Sequence, residues 1–371
     1  MRVLHVLFVT LGLIGHAVAS TPPLDITEYA HTSFTPAQGA PSVVAVLAQT
    51  SDGFLWLGTV AGLYRFDGVR FERIESVGGV PLLGEIITAL HAPPTGGLWI
   101  GYQFGGVSFF DGRGLKNYPP EDGGLPDGTL EAIAIDSNGV VWAGSTRGLA
   151  RSTNERWTNV TETVGLPSPN AGGLMADKSG NLWIESGGKL ALLRRGSSKV
   201  HVYDVPVLNS LRRDPDGRIW NMVNNPNCLY LLDPTRDETP PCRHVAHDFT
   251  DVWLIDRAGN VWAEDAENRL RVLPTALFGH EPPARAAERT SLPDPRSLSF
   301  ADRAQPISEL EDREGNIWFG TTGGLEQLRV PRLRRHGPFK EFVVLGAGTH
   351  NSLWVATTSY IPESGDDFFQ L

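Results

Sequence analysis

Glu311-Asp312-Arg313-Glu314-Gly315-Asn316-Ile317-Trp318-Phe319-Gly320-Thr321 carries the pattern that organises the whole chain: an Asp, a Gly three residues on, and an apolar-Trp pair just beyond. The same spacing recurs at Asp136/Gly139/Trp142, Asp177/Gly180/Trp183, Asp214/Gly217/Trp220 and Asp256/Gly259/Trp262. A first copy shifts its acid to Asp52 while keeping Gly53 and Trp56, and a second keeps Gly96 and Trp99 without the Asp. An eighth tryptophan, Trp354, stands in Leu353-Trp354-Val355, with Asn351 in place of the turn glycine. The eight tryptophans are spaced by 43, 43, 41, 37, 42, 56 and 36 residues. A period near 40 is the length of a four-stranded propeller blade.

Each part of the repeat has a physical reason. An apolar stretch such as Ala132-Ile133-Ala134-Ile135 reads as a short buried strand, the innermost of its blade. The Asp caps a tight turn by accepting from backbone N–H groups, and the Gly supplies the positive φ that such turns use. The Trp strand follows, its large ring filling the wedge between adjoining blades. Gly-Leu, as at Gly62-Leu63 or Gly324-Leu325, begins a third strand, and a stretch such as Arg70 to Ile74 forms the outer edge. One blade buries little alone, so stability comes from stacking neighbours. The expected fold class is all-β: a seven-bladed β-propeller of four-stranded blades, with eight blades as the alternative.

Closure of the ring is legible too. Gly124-Leu125-Pro126 and Gly165-Leu166-Pro167 each fall between an outer strand and the next inner one. Gly39-Ala40-Pro41 sits in the equivalent place, preceded by Ile26 to Phe34, which therefore reads as an outer strand without its own blade. Laid against the last blade, it closes the circle and removes two exposed edges. The expected division is a leader over 1–19, a propeller with its N-terminal closing strand over 20–330, and a remainder over 331–371. That remainder is a partial further blade or the start of a truncated second propeller, the second being preferred. The 56-residue interval before Trp318 holds Pro282, Pro283, Pro293 and Pro295 and reads as a loop insertion in blade six or seven.

Composition agrees with many short strands. The 371 residues include 41 Gly, 27 Pro and 10 Trp but only 3 Met. A net charge of −10 argues against a nucleic-acid partner, which needs clustered Lys and Arg. The one basic cluster, Arg332, Arg334, Arg335 and His336, is short and reads as a solvated face. Arg2, the apolar run Val3 to Ile14 and Ala17-Val18-Ala19 form an export leader cleaved after Ala19, which places the mature chain in the periplasm without a membrane span. In that compartment Cys228 and Cys242 form either one disulfide or two separate thiols. With His244 and His247 they make too weak a pattern for a metal site.

Thr50-Ser51-Asp52-Gly53-Phe54-Leu55-Trp56-Leu57-Gly58-Thr59, followed by Gly62-Leu63-Tyr64-Arg65-Phe66-Asp67-Gly68-Val69-Arg70-Phe71, resembles the two-component regulator propeller repeat. The stretch 311–321 is a second close match, and Ile26-Thr27-Glu28-Tyr29-Ala30-His31-Thr32 resembles the usual lead-in of that family. The resemblance covers nearly all of the mature chain. It implies a periplasmic sensor region of the kind found in hybrid histidine kinases and some diguanylate cyclases, where two seven-bladed rings commonly precede a β-sandwich, a membrane helix and an output domain. This sequence departs from that plan beyond its first ring. Two readings of the departure stand side by side: a truncated product, and a free binding protein that works with a separate membrane signalling protein.

Several motifs lead nowhere. Asp214, Asp216 and Gly217 resemble the start of a calcium loop, but Arg218, Trp220 and Met222 cannot supply the further oxygen ligands. Asn159-Val160-Thr161 is a sequon without consequence in a bacterial chain. No nucleophile elbow, phosphate loop or zinc-protease motif is present, so no catalytic residue and no cofactor is assigned. Propellers usually bind at one mouth of the central channel, where the loops after the Trp strand gather. The candidate ligand-binding residues on those loops are Tyr102, Gln103, Phe104, Arg147, Lys189, Asn224, Asn225, Glu264 and Asp265, a mixture suited to a glycan or another polar small molecule. Two readings compete with a sensor. A secreted propeller lyase acting on a carbohydrate or a streptogramin-like substrate requires a His, such as His201 or His350, to meet an acid at the mouth. A protein-binding scaffold would use an unpaired strand edge.

Overall fold

Local order begins at the turn between the first two strands of each repeat. Asp136 Oδ1 accepts the N–H groups of Asn138 at 2.8 Å and Val140 at 3.1 Å, and Gly139 takes φ +79°. The turn folds Leu130–Ile135 onto Val141–Ser145, with Ala134 opposite Trp142. Gly148–Thr153 and the outer strand Arg156–Asn159 complete the blade. The N–H four residues on is accepted in the same way by Asp177, Asp214, Asp256 and Asp312, at 2.7 to 2.9 Å.

The computed structural model describes residues 26–330, apart from 121–122, 208–210, 225–226, 245–248, 268, 275–299 and 301–303, together with strands at 343–347, 353–357 and 367–370. The leader expected at 1–19 and the insertion around Pro282, Pro283, Pro293 and Pro295 lie outside the described residues. Seven blades form the ring, and the tryptophan strands Leu55–Thr59, Leu98–Tyr102, Val141–Ser145, Leu182–Ser186, Ile219–Asn224, Asn260–Asp265 and Ile317–Thr321 are their second strands. Six blades are four-stranded; blade six shows three strands among the described residues, Phe249–Ile255, Asn260–Asp265 and Leu270–Pro274.

Blade seven is closed from the other end of the chain. Ala30–Phe34 runs antiparallel to Gly324–Arg329, with Ala30 opposite Arg329 and Phe34 opposite Leu325. Phe34 stacks on Trp318 at 6.1 Å and meets the edges of Phe66 at 5.0 Å and Phe71 at 6.0 Å, tying the last blade to the first. The buried carboxylate of Glu326 accepts from Ser33 Oγ at 2.5 Å and lies 2.7 Å from His31 Nε2 across the same seam.

The core is a chain of inter-blade clusters. Trp142 of blade three packs with Leu182 and Ile184 of blade four, and Trp56 of blade one with Leu98 and Ile100 of blade two. Four tryptophan strands place a glycine two residues after the Trp, at Gly58, Gly101, Gly144 and Gly320. A Cβ on Gly58 would come within 2.7 Å of Ile87 Cγ2 on the next inner strand, so glycine there sets how closely the blades approach.

Cys228 and Cys242 are joined in a disulfide with Cα atoms 5.2 Å apart, resolving the alternative that the sequence left open. Residues 331–371 form a separate unit, a three-stranded antiparallel sheet of Val343–Ala347, Leu353–Thr357 and Asp367–Gln370 that carries Trp354 on its middle strand.

Candidate functional site

Each inner strand runs from the face that carries the blade-to-blade connections to the face that carries the Asp turns. The antiparallel order then puts the loops after the tryptophan strands on the connection face, around the mouth of the channel. Four inner strands are bulged where they enter from that face. The register shift leaves Thr88, Glu131, Thr250 and Ile307 as extra residues in blades two, three, six and seven. A bulge re-aims a side chain that regular pairing would direct elsewhere.

Two of these residues help to build one hollow of about 410 Å³, lined by Thr88, Glu131, Asn170, Gly172, Glu185, Gly188 and Val207. The lining comes from blades two to four and from the connection into blade five, so the hollow opens on the channel. Asn170 Nδ2 donates to Glu131 Oε2 at 3.2 Å, and Thr88 Oγ1 donates to the Leu130 carbonyl at 2.6 Å. Glu185 is 6% exposed and accepts from the Leu211 N–H at 3.1 Å. It occupies the place two residues after the Trp where four sister blades have glycine.

Across the channel, Arg212 of blade five donates to the Val252 carbonyl of blade six at 2.9 Å and lies 3.8 Å from Glu309 of blade seven. A contact between blades that are not neighbours is possible only through the central channel. Burial pushes the Glu309 carboxyl up, with Arg212 opposing and Asp251 adding to the rise; burial also raises Asp251, again against the pull of Arg212. Glu264, the other carboxylate in the glycine position, accepts from Trp253 Nε1 at 3.2 Å. Its pKa is raised by burial and by the charges of Asp251 and Asp265, in spite of that bond.

The residues expected to bind ligand divide into groups. Gln103, Phe104 and Arg147 do come together, with Asp127, Gly128, Thr129 and Thr146, around an open hollow of about 490 Å³ over the seam of blades two and three. Phe104 is 83% exposed there. Tyr102 is buried; its hydroxyl bonds Ser108 Oγ at 2.8 Å, and burial pushes its pKa up to about 12, so it serves as core. Lys189 is exposed and lies 3.5 Å from Asp204 on the outer strand. Asp265 caps a turn, accepting from the backbone of Glu267 and Arg269 and from the side chains of Arg269 and Arg271. Asn224 ends a strand, but its side chain, like all of Asn225, lies outside the described residues.

Thr88, Glu131, Asn170 and Arg212 were not among the sequence candidates, because bulges and cross-channel contacts leave no local pattern. Glu185 did leave a signal, a carboxylate where the repeat asks for glycine. The histidines with described side chains stand away from the mouth. His31 is on the closing strand, His91 ends the inner strand of blade two, and His201, on the outer strand of blade four, bonds the Asp237 carbonyl at 2.8 Å. His350 lies outside the described residues.

No family model and no curated protein matches the chain. Solved structures do. The extracellular domain of BT3049 from B. thetaiotaomicron, described as a hybrid two-component system, is 20% identical with a TM-score of 0.62, covering 92% of this chain and 48% of that one. The extracellular domain of BT4673 from the same organism, described as a one-component system, is 17% identical with a TM-score of 0.60, covering 91% and 47%. Virginiamycin B lyase from Staphylococcus aureus is 13% identical with a TM-score of 0.58, covering 81% and 99%. The shared feature is the propeller fold, and the chain spans about half the length of the two extracellular domains. No helix among the described residues is long and apolar enough to cross a membrane.

Proposed function

We propose that this chain is an exported, periplasmic sensor-type propeller of a two-component signalling system, and that it binds a hydroxyl-rich polar small molecule at the channel mouth over blades two to five. The observation that carries the reading is Glu185, a buried carboxylate standing where four sister blades need glycine. It shares one hollow with the bulge-presented Thr88 and Glu131 and with Asn170. A repeat that breaks its own packing rule at a concave, polar place does so at a cost in packing, and such violations gather at functional sites. Carboxylate and amide acceptors in a shallow polar bowl match the hydroxyl groups of a sugar. The likeness to extracellular propeller domains supports the sensor reading, as does the leader in the sequence.

Titration calorimetry with neutral hexoses, uronic acids and disaccharides tests the proposal. At least one is expected to bind saturably, and Glu131→Gln is expected to weaken it about tenfold by removing a charged acceptor. Saturable binding that Glu131→Gln leaves unchanged, or no binding by any of the three classes, would overturn it.

A further inference from the structure

Two opposite charges and an aromatic ring line the open hollow over the seam of blades two and three, and the fold uses none of them. Asp127 and Arg147 are both exposed there, yet no ion pair joins them. Neither side chain has another partner among the described residues. Phe104, on the facing loop, is the most exposed large apolar side chain among the described residues, at 83%. A single exposed ring is ordinary on a protein surface. A ring beside an unpaired cation and an unpaired anion, in one concavity, is not.

The repeat makes the same point. The turns after the tryptophan strands of blades one, four and seven are Val60-Ala61, Gly187-Gly188 and Thr322-Gly323, without a charge or a ring. Blades two and three place Phe104 and Arg147 there instead, on neighbouring turns of the connection face. Departures from a repeat that gather in one concave place point to use.

The backbone beneath these side chains is fixed in advance of any ligand. Thr146 donates its N–H to the Thr129 carbonyl at 3.0 Å, and its Oγ1 accepts the Thr129 N–H at 3.2 Å. The buried Ser145 Oγ lies 3.1 Å from the Asp127 carbonyl and accepts the Arg147 N–H at 3.1 Å, so one hydroxyl anchors both charged residues by their main chains. A Cβ on Gly128 would come within 2.3 Å of Thr146 Oγ1 and 3.1 Å of Arg147 Cγ, so glycine there lets the connection lie against the arginine stem. On the other wall, Gln103 donates its N–H to the Ile86 carbonyl at 3.1 Å and Gly105 to the Tyr102 carbonyl at 3.2 Å. A preorganised wall lowers the entropy cost of binding.

We infer that this hollow is a second binding site, for the zwitterion of an aromatic α-amino acid, with its carboxylate on Arg147, its ammonium on Asp127 and its ring against Phe104. A simple anion drawn by the guanidinium would be repelled by Asp127, and a simple cation would meet the reverse. A ligand that carries both charges on one carbon answers both. The guanidinium fork fits a carboxylate, and ring packs on ring. The volume of about 490 Å³ falls in the roughly 300–1,000 Å³ range of small-molecule sites. This hollow shares no lining residue with the one around Glu131 and Glu185, so the inference stands whether or not the channel mouth binds a sugar.

Phenylalanine is the probe, beside 3-phenylpropanoate, which lacks the ammonium, and phenethylamine, which lacks the carboxylate. Titrations are read from the backbone amide signals of ¹⁵N-labelled protein. Phenylalanine is expected to shift the signals of 103–105, 127–129 and 146–147 saturably. It is expected to bind about three- to fivefold more tightly than either analogue, the worth of one exposed charge contact. Arg147→Gln is expected to abolish the advantage over phenethylamine and keep that over 3-phenylpropanoate; Asp127→Asn is expected to do the reverse. Phe104→Ala is expected to weaken all three probes alike. No saturable binding of phenylalanine, equal affinity for the three probes, or preferences unchanged in the two charge variants would each overturn the inference. The comparison of probes on the unaltered protein decides it without any variant.

Discussion

Asp256 and Asp177 occupy the same place in their blades and carry different loads. Asp256 accepts from the Asn260 N–H at 2.7 Å, from Asn260 Nδ2 at 2.9 Å and from the Trp262 indole at 2.9 Å. Asp177 makes the first two kinds of bond, at 2.9 and 2.8 Å, without the indole. Replacing Asp256 by Ala therefore strands a buried indole donor as well as opening the turn. Asp256→Ala is expected to cost about 2–4 kcal/mol, and Asp177→Ala about 1 kcal/mol less, since its indole is already without an acceptor. Urea unfolding of the two variants side by side checks the difference. Equal losses would mean that the indole bond adds nothing to the turn. The turn role of these residues was legible from the Asp-Gly spacing. The indole bond was not, because it depends on a ring orientation that only the packed blade decides.

At the scale of elements, the period near 40 and the unattached segment Ile26 to Phe34 were sufficient to read the blades and their closure, although only Ala30–Phe34 pairs as the closing strand and Ile26–Glu28 is a short helical turn. Both are local in sequence, and each strand type has its own composition. Bulges are a different matter. Thr88 and Glu131 sit in ordinary apolar runs, and the extra residue shows only when a partner strand is laid beside it. For that reason the candidates read from the sequence lie on the loops after the tryptophan strands, where Gln103, Phe104 and Arg147 line one open hollow, and include none of the residues that the inner strands present at their bulges. The closing strand gives the clearest test at this scale, because Phe34 touches both the first and the last blade. Phe34→Ala is expected to lower stability by about 2–4 kcal/mol and to speed amide exchange in 324–329, whose pairing it holds. Loss of stability without faster exchange there would place the role of Phe34 in packing alone. The disulfide spans fourteen residues, and Cys228→Ala with Cys242→Ala is expected to cost about 3 kcal/mol by loop entropy, read from the same urea midpoints.

The whole molecule titrates as opposed sets of groups, with consequences for its stability between mildly acid and neutral pH. Burial raises Asp251, Glu264, Glu309 and Glu311, the last against its bond to Arg257. A carboxyl raised in the folded state contributes stability that is complete below its unfolded pKa, 3.8 for Asp and 4.5 for Glu, and is lost as pH rises through the folded value. Lowering the pH therefore restores stability as each of these groups passes its folded value and takes a proton. His91 opposes them. Burial, with the nearby charge of Arg213, lowers it from 6.5 to about 4, so the unfolded chain takes up a proton before the folded one does and stability falls across that interval. Asp214 and Asp265 act lower still. Burial alone would raise them, but bonds from Trp220 and Arg218, and from Arg271 and Arg269, outweigh it, so their contribution is lost only as pH falls below 3.8. The two sets are separated by removing one at a time. The gain in urea midpoint on going from pH 7.5 to about 5.5 is expected to be larger, or the loss smaller, in His91→Asn than in the unaltered protein, following the difference in bound protons. Asp251→Asn with Glu309→Gln is expected to move the same difference the other way, because those two raised carboxyls are no longer there to take protons. A pH difference identical to that of the unaltered protein in both variants would show that neither His91 nor the channel carboxyls change their protonation on folding.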